Sequence, residues 1–241
     1  MSPPGPLGPP GPLGHPRLHL RRTTSTNERA RELAVAGAPH GTLVSAAEQT
    51  AGRGRQGRTW TAPPGRSLLC SIVVRDPPRL LPLAAGAAVA DAVGAAAPAR
   101  TVQIKWPNDV LLDGGKVAGI LVEGRPQERW AVVGVGLNVA VAESDFPPEL
   151  AGRAATLGLG PDGIEPVLRE LLARLERWIA ADADTLLAEV RARDALLGQP
   201  VSWAGGEGSG AGIDGDGRLV VVRADGSRVT LDAGEVHLGR G

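Results

Sequence analysis

Lysine is almost missing from this chain. Of 26 lysine and arginine residues among 241, only Lys105 and Lys116 are lysine. Asparagine is nearly as scarce, at Asn27, Asn108 and Asn138. A composition that uses arginine for generic positive charge keeps lysine by chance on a solvated surface, or where a compact, flexible ammonium fits and a planar guanidinium does not. The single cysteine, Cys70, excludes an internal disulfide framework and reads as a small buried residue in the apolar run 67–74. Formal charge balances to zero, so no global field attracts nucleic acid or an anionic membrane. The best candidate for a membrane span, 80–99, is mostly alanine and is interrupted by Pro82, Asp91 and Pro98; it predicts a small-residue helix packed on a sheet. Met1 to Pro16 is a Pro/Gly repeat without the basic and apolar regions of a signal peptide. We expect a disordered or polyproline-like tail over 1–20 and a soluble, cytoplasmic protein. His15, His19, His40 and His237 are scattered, and no His/Cys/carboxylate group has metal-ligand spacing.

What is present is ordered along the chain. Thr24-Ser25-Thr26-Asn27 precedes an Ala/Glu/Arg run, which predicts a helix with Ser25 or Thr26 as its N-cap and Gly37 near its end. The same polar cluster at a helix N-terminus suits a polar ligand. A short strand over 42–47 leads into Glu48-Gln49-Thr50 and then Gly52-Arg53-Gly54-Arg55-Gln56-Gly57-Arg58-Thr59-Trp60. Residues 52–57 spell G-x-G-x-x-G, but Trp60, Pro63 and Pro64 follow where a dinucleotide fingerprint needs a helix. The segment instead reads as a mobile glycine loop whose three arginines suit phosphate clamping, or as a solvated basic loop.

Strands are expected over 68–74, 101–106, 109–112, 116–123 and 129–139, with a tight turn at Asp113-Gly114-Gly115 and a helix over 80–97. Gly134 and Gly136, two apart, lie on one sheet face and leave room there for a ligand. Helices follow over 164–181 and 182–196, and short strands with Asp-Gly turns occupy the last 45 residues. The fold class is α+β: a mixed, largely antiparallel sheet flanked by helices, in a domain over 21–196, with a small β-barrel over 197–241.

Taken in order, Ser25-Thr26-Asn27, Glu48 to Arg58, Lys105-Trp106-Pro107-Asn108-Asp109, Lys116-Val117-Ala118-Gly119-Ile120 and Gly134 to Asn138 resemble the signature blocks of the biotin protein ligases. The resemblance runs from Thr24 to the C-terminus. It implies a class II aminoacyl-tRNA synthetase-like catalytic fold with a C-terminal SH3-like barrel. It also implies a two-step reaction, in which biotin and MgATP give biotinyl-5′-AMP, which then acylates a lysine of a biotin carboxyl carrier domain of acetyl-CoA, acyl-CoA or pyruvate carboxylase. The bifunctional members carry an N-terminal helix-turn-helix domain for which this tail is too short, so a monofunctional form is expected. Monomer and homodimer both stay open.

The resemblance assigns roles residue by residue. Lys116 would touch the biotin carboxylate and the α-phosphate together, with Arg53 and Arg55 as further catalytic residues. Ser25, Thr26, Asn27, Gln49, Arg53, Gly54, Arg55, Gly119 and Ile120 would line the biotin site. Arg55, Arg58, Trp60, Asn108 and Asn138 would serve the nucleotide, with Trp60 equally readable as core. Asp109 has two readings, a magnesium ligand or an ion pair with Lys105; Lys105 itself reads as a phosphate contact or a structural partner. Two competitors remain: a lipoate or octanoate ligase or transferase of the same fold, and a biotin-sensing binding protein without turnover.

Overall fold

The computed structural model describes residues 12–232, 234 and 236–238. Among these residues, twelve strands and four α-helices form two sheets and their cover. The first sheet has the order β1 (Arg17–Leu20), β2 (Leu43–Ala46), β3 (Ser67–Arg75), β7 (Trp130–Asn138), β6 (Gly115–Arg125), β5 (Asp109–Leu112), β4 (Val102–Lys105). Every neighbouring pair is antiparallel except β1 with β2. The largely antiparallel sheet expected from the turns is therefore present. Strand β1 corrects the expected tail. Leu13 is buried, Gly14 N–H donates to Gly41 O, and Arg17–Leu20 pairs along β2. The tail expectation for residues 1–11 lies outside the described residues.

Side-chain alternation in β3, β6 and β7 separates two faces. Cys70, Ile72, Val74, Ala118, Ile120, Val133, Val135 and Leu137 turn to one side, where α2 (Leu81–Ala96) lies. Alanines let this helix pack closely, with α3 (Ile164–Ala180) and α4 (Ala183–Ala192) against it. Val44, Val73, Trp130 and Val132 turn to the other side and bury Ala30 and Ala34 of α1 (Thr26–Val35). Helix α1 ends as expected, with Gly37 at φ +88°, where glycine carries no Cβ penalty. It also starts as expected, with Ser25 at the N-cap position and its carbonyl accepting from Arg29 N–H at 3.1 Å, though its side chain makes no capping bond.

The hairpin between β5 and β6 is closed by Asp113 and Gly114, both at positive φ, as a two-residue turn of the kind that matches strand twist. One irregularity in this hairpin places the key lysine. Leu111 pairs with Lys116 but Val110 pairs with Ala118, so Val117 is an extra residue on β6. Without that bulge Lys116 would share the α2 face with Ala118; with it, Lys116 shares the opposite face with Gly119.

The second sheet is antiparallel, in the order β11 (Arg228–Leu231), β10 (Leu219–Val222), β9 (Gly206–Ile213), β8 (Pro200–Trp203), β12 (His237–Leu238). Its β9–β10 turn grips the first domain. Arg79 donates to Asp216, Trp106 Nε1 donates to Gly217 O at 3.0 Å, and Gly217 sits against Leu80 and Leu83.

Candidate active site

The pocket lies on the α1 face of the first sheet, where alternation removes large side chains. Cross-strand register puts Lys105, Asp109, Gly119 and Gly136 in one row across β4, β5, β6 and β7. A second row holds Leu121, Gly134 and Ser71. The cleft above holds about 900 Å³ of non-protein space, part of it open solvent. Among the expected residues, Ser25, Thr26, Asn27, Gln49, Arg53, Gly54, Arg55, Arg58, Trp60, Lys105, Asn108, Asp109, Lys116, Gly119 and Ile120 all line it.

At its centre Lys116 Nζ lies 2.8 Å from Asp109 Oδ1. Asp109 thus pairs with Lys116, a partner the sequence reading did not name, and Asn108 Nδ2 donates to the same oxygen at 3.1 Å. Lys105 shares the row through its backbone register with Asp109. Across from them, Arg55 Nη1 donates to Asn108 Oδ1 at 3.2 Å, which ties the glycine loop to the Lys105–Asp109 segment. The loop folds on itself: Gly54 N–H donates to Arg58 O at 2.7 Å and Trp60 N–H to Gly52 O at 2.9 Å. Gly52 is required there, since a Cβ would overlap the Trp60 carbonyl and sit 2.8 Å from Gln49 Nε2.

At the other end, Gln49 Oε1 accepts from Thr26 N at 2.7 Å and from Thr26 Oγ1 at 3.0 Å. Gln49 Nε2 is thereby aimed at the loop side of the cleft. Ser71, fully buried, has one proton for two acceptors, Thr26 Oγ1 at 2.8 Å and Asn27 Oδ1 at 2.7 Å. Asn27 spends its amide protons on Leu121 O and Glu123 Oε2. Asn27 therefore lines the cleft with both amide protons engaged within the protein and its oxygen accepting from Ser71.

Three further expectations shift. The space above the paired glycines is not left to a ligand alone: a Cβ on Gly134 would overlap Asn27, and one on Gly136 would meet the Trp60 indole. Trp60 is half-buried over Gly119 and Gly136, its Nε1 buried without a partner among the described residues, with Lys116 Nζ 5.8 Å from the ring. Asn138 does not line the cleft. Its amide donates to Ala155 O at 3.0 Å and its oxygen accepts from Ser67, so it joins β7 to residue 155. Ile120 borders the cleft, but its side chain belongs to the core on the α2 face.

Sequence reasoning missed Ser71, Glu123, Trp106, Pro107, Leu121, Gly234 and Val236, of which all but Ser71 and Glu123 line the cleft. Ser71 had a signal, as a polar residue in an apolar run at the parity of the pocket face. Gly234 and Val236 had none, because they arrive from the far C-terminal end of the described residues.

Comparison with known proteins bears on this geometry. The profile described as Biotin/lipoate A/B protein ligase family matches residues 19–139, and that of the Biotin protein ligase C terminal domain matches 189–239. A biotin–[acetyl-CoA-carboxylase] ligase of Mycobacterium tuberculosis is 40% identical over 238 residues, covering 91% of this chain and 88% of the relative. The chain belongs to the biotin protein ligase family. A second ligase of the same name, from Paracoccus denitrificans, is 38% identical and is covered over 99% of its length. Among solved structures, the biotin protein ligase of Aquifex aeolicus in complex with biotin and ATP superposes with a TM-score of 0.79 at 29% identity, over 93% of this chain and 99% of that one. The Leishmania major ligase in complex with biotinyl-5-AMP superposes with a TM-score of 0.59 at 27% identity, over 90% and 98%. The mixed sheet with helical cover and an antiparallel C-terminal sheet is the family's arrangement.

Proposed function

We propose that this protein is an ATP-dependent biotin protein ligase, which forms biotinyl-5′-AMP and passes the biotinyl group to a lysine of a carboxyl carrier domain. The observation that carries the mechanism is Lys116, whose ammonium lies on the pocket floor, set beside Gly119 by the β6 bulge and held by Asp109. In the first step a biotin carboxylate oxygen attacks the α-phosphorus and the bond to the bridging oxygen breaks, releasing pyrophosphate. Two anions must meet, and a compact cation between them offsets their repulsion and fixes their approach. Arg55, anchored on Asn108, adds positive charge where the nucleotide enters. Thr26, Gln49 and Ser25 face the polar ureido edge, and Trp60 gives an apolar wall. In the second step the carrier's amine attacks the acyl carbon and AMP leaves. The loop shields the mixed anhydride from water until then.

Magnesium in this reading arrives on the nucleotide's phosphates. Among the described residues no group of three His, Cys, Asp or Glu could cage an ion, and Asp109 Oδ1 is already engaged. The carrier we assign is the biotin domain of an acetyl-CoA-type carboxylase, with the reaction in the cytoplasm. Among the described residues, no helix is long and apolar enough to cross a membrane. The test is to incubate the protein with MgATP, biotin, lipoate or octanoate, and a carrier domain, and to weigh the carrier. A biotinyl mass that needs ATP is expected; a lipoyl or octanoyl mass, or binding without acylation, overturns the reading.

A further inference from the structure

Glu123 lies outside the signature blocks, at the end of the pocket-facing parity of β6 that begins with Gly119 and Leu121. Its side chain is 22% exposed and its carboxylate is divided between two structures. Oε2 accepts from Asn27 Nδ2 at 2.9 Å. Oε1 lies 3.3 Å from Arg53 Nη2 and 3.9 Å from Arg31 Nη1. Asn27 in turn is fixed by Ser71, Leu121 O and the absent side chain of Gly134. A rigid, hydrogen-bonded chain therefore runs from the buried sheet to the first arginine of the glycine loop and ends on a carboxylate.

We propose that Glu123 is a positioning residue, which anchors the glycine loop over the cleft by holding Arg53 against the Asn27 cluster. The inference rests on the ligase reading of the same cleft. A loop with three glycines and prolines close behind has little intrinsic order, since each glycine adds backbone entropy that closure must offset. Two tethers restrain its start: Arg55 to Asn108 across the nucleotide side, and Arg53 to Glu123 across the opposite wall. The second keeps the loop's arginine near the polar end of the cleft, so that a bound acid meets a loop already in place. Loss of the carboxylate charge leaves Asn27 its acceptor in Glu123→Gln but releases Arg53. The effect then falls on binding and loop order, and not on the chemical step.

The experiment uses wild type, Glu123→Gln, Glu123→Asp, Arg53→Gln and the double variant Glu123→Gln/Arg53→Gln. Adenylate formation is followed by pyrophosphate release over a range of biotin, and trypsin cleavage after Arg55 and Arg58 is timed without ligand. Glu123→Gln should raise the biotin KM about fivefold, the upper range for a partly exposed ion pair, with kcat changed by less. Loop cleavage should quicken, Glu123→Asp should recover toward wild type, and the double variant should be no worse than Arg53→Gln alone. Unchanged KM and cleavage in Glu123→Gln, or effects that add fully in the double variant, overturn the proposal. If Glu123→Gln does not fold, Arg53→Gln, which breaks the same pair from the loop side, replaces it: unchanged biotin KM and unchanged cleavage there overturn the proposal. Failure of the wild type to adenylate biotin would instead sink the ligase reading, which this set of variants leaves separate.

Discussion

Replacing Lys116 with arginine keeps the charge and tests the shape. Nζ sits 2.8 Å from Asp109 Oδ1, and the Cβ position of Gly119 is 3.3 Å from Lys116 Cε and 3.4 Å from Nζ. The Trp60 ring closes the third side at 5.8 Å. A guanidinium is wider and planar, so in this slot it must displace the indole or leave Asp109. Either moves the positive centre by about 1 Å, and such a misplacement of a catalytic group costs on the order of a hundredfold in rate, or about 2.7 kcal/mol in barrier. Stability should change far less. The pair is 34% and 15% exposed, which holds its contribution to about 1 kcal/mol or less, or about 2–4 °C in melting temperature for a chain of this size. Pyrophosphate release by Lys116→Arg, Arg53→Ala and Arg55→Ala, each with a thermal melt, separates the two effects. Lys116→Arg should lose the most activity while melting near wild type. Near-native adenylation by Lys116→Arg alongside a dead loop variant would refute the assignment of Lys116 as the central group.

Other outcomes follow from the packing and the charges. Gly134→Ala should lower the melting temperature by several degrees, because a Cβ there overlaps Asn27, and overpacking of this kind costs about 1–3 kcal/mol; an unchanged melt would contradict the geometry. Cys70 is fully buried and burial pushes its thiol up to about 12, so it should resist alkylation at pH 8 in the native protein and react promptly in denaturant. The side-chain hydrogen bond from Arg17 holds Glu165 below its ordinary value of 4.5. Its stabilising contribution is complete above that unfolded value and is lost as pH falls through the depressed native one. Arg17→Met should therefore cost more stability at pH 7 than at pH 3, by chemical denaturation, with a modest size because the pair is half-exposed. Equal loss at both pH values would show that Arg17 acts through packing.

Much of the fold was legible because its signals are local. The Asp113-Gly114 turn, the Ala-rich helix at 81–96 and the alternating strands from 102 to 138 each rest on propensities within a few residues. Strand β1 was hidden, since four residues after a Pro/Gly repeat carry no periodicity of their own and become a strand only by pairing with β2. The helix start at Ser25 was legible from its residue type, but that its side chain makes no capping bond was not.

The sequence by itself determined which residues could do chemistry. Two lysines in a chain of arginines, three asparagines and one arginine-glycine loop are properties of composition and order. Tertiary structure decided which of them meet. The β6 bulge turns Lys116 onto the pocket face, register sets Asp109 beside Gly119, and Asn138 is drawn away to residue 155. Ser71 and Glu123 acquire their parts through Asn27, a residue 44 and 96 positions away from them in sequence. Such partnerships depend on strand register and on distances across the sheet, and a one-residue change of register reverses every face. Composition and local spacing do not encode them; the packed sheet does.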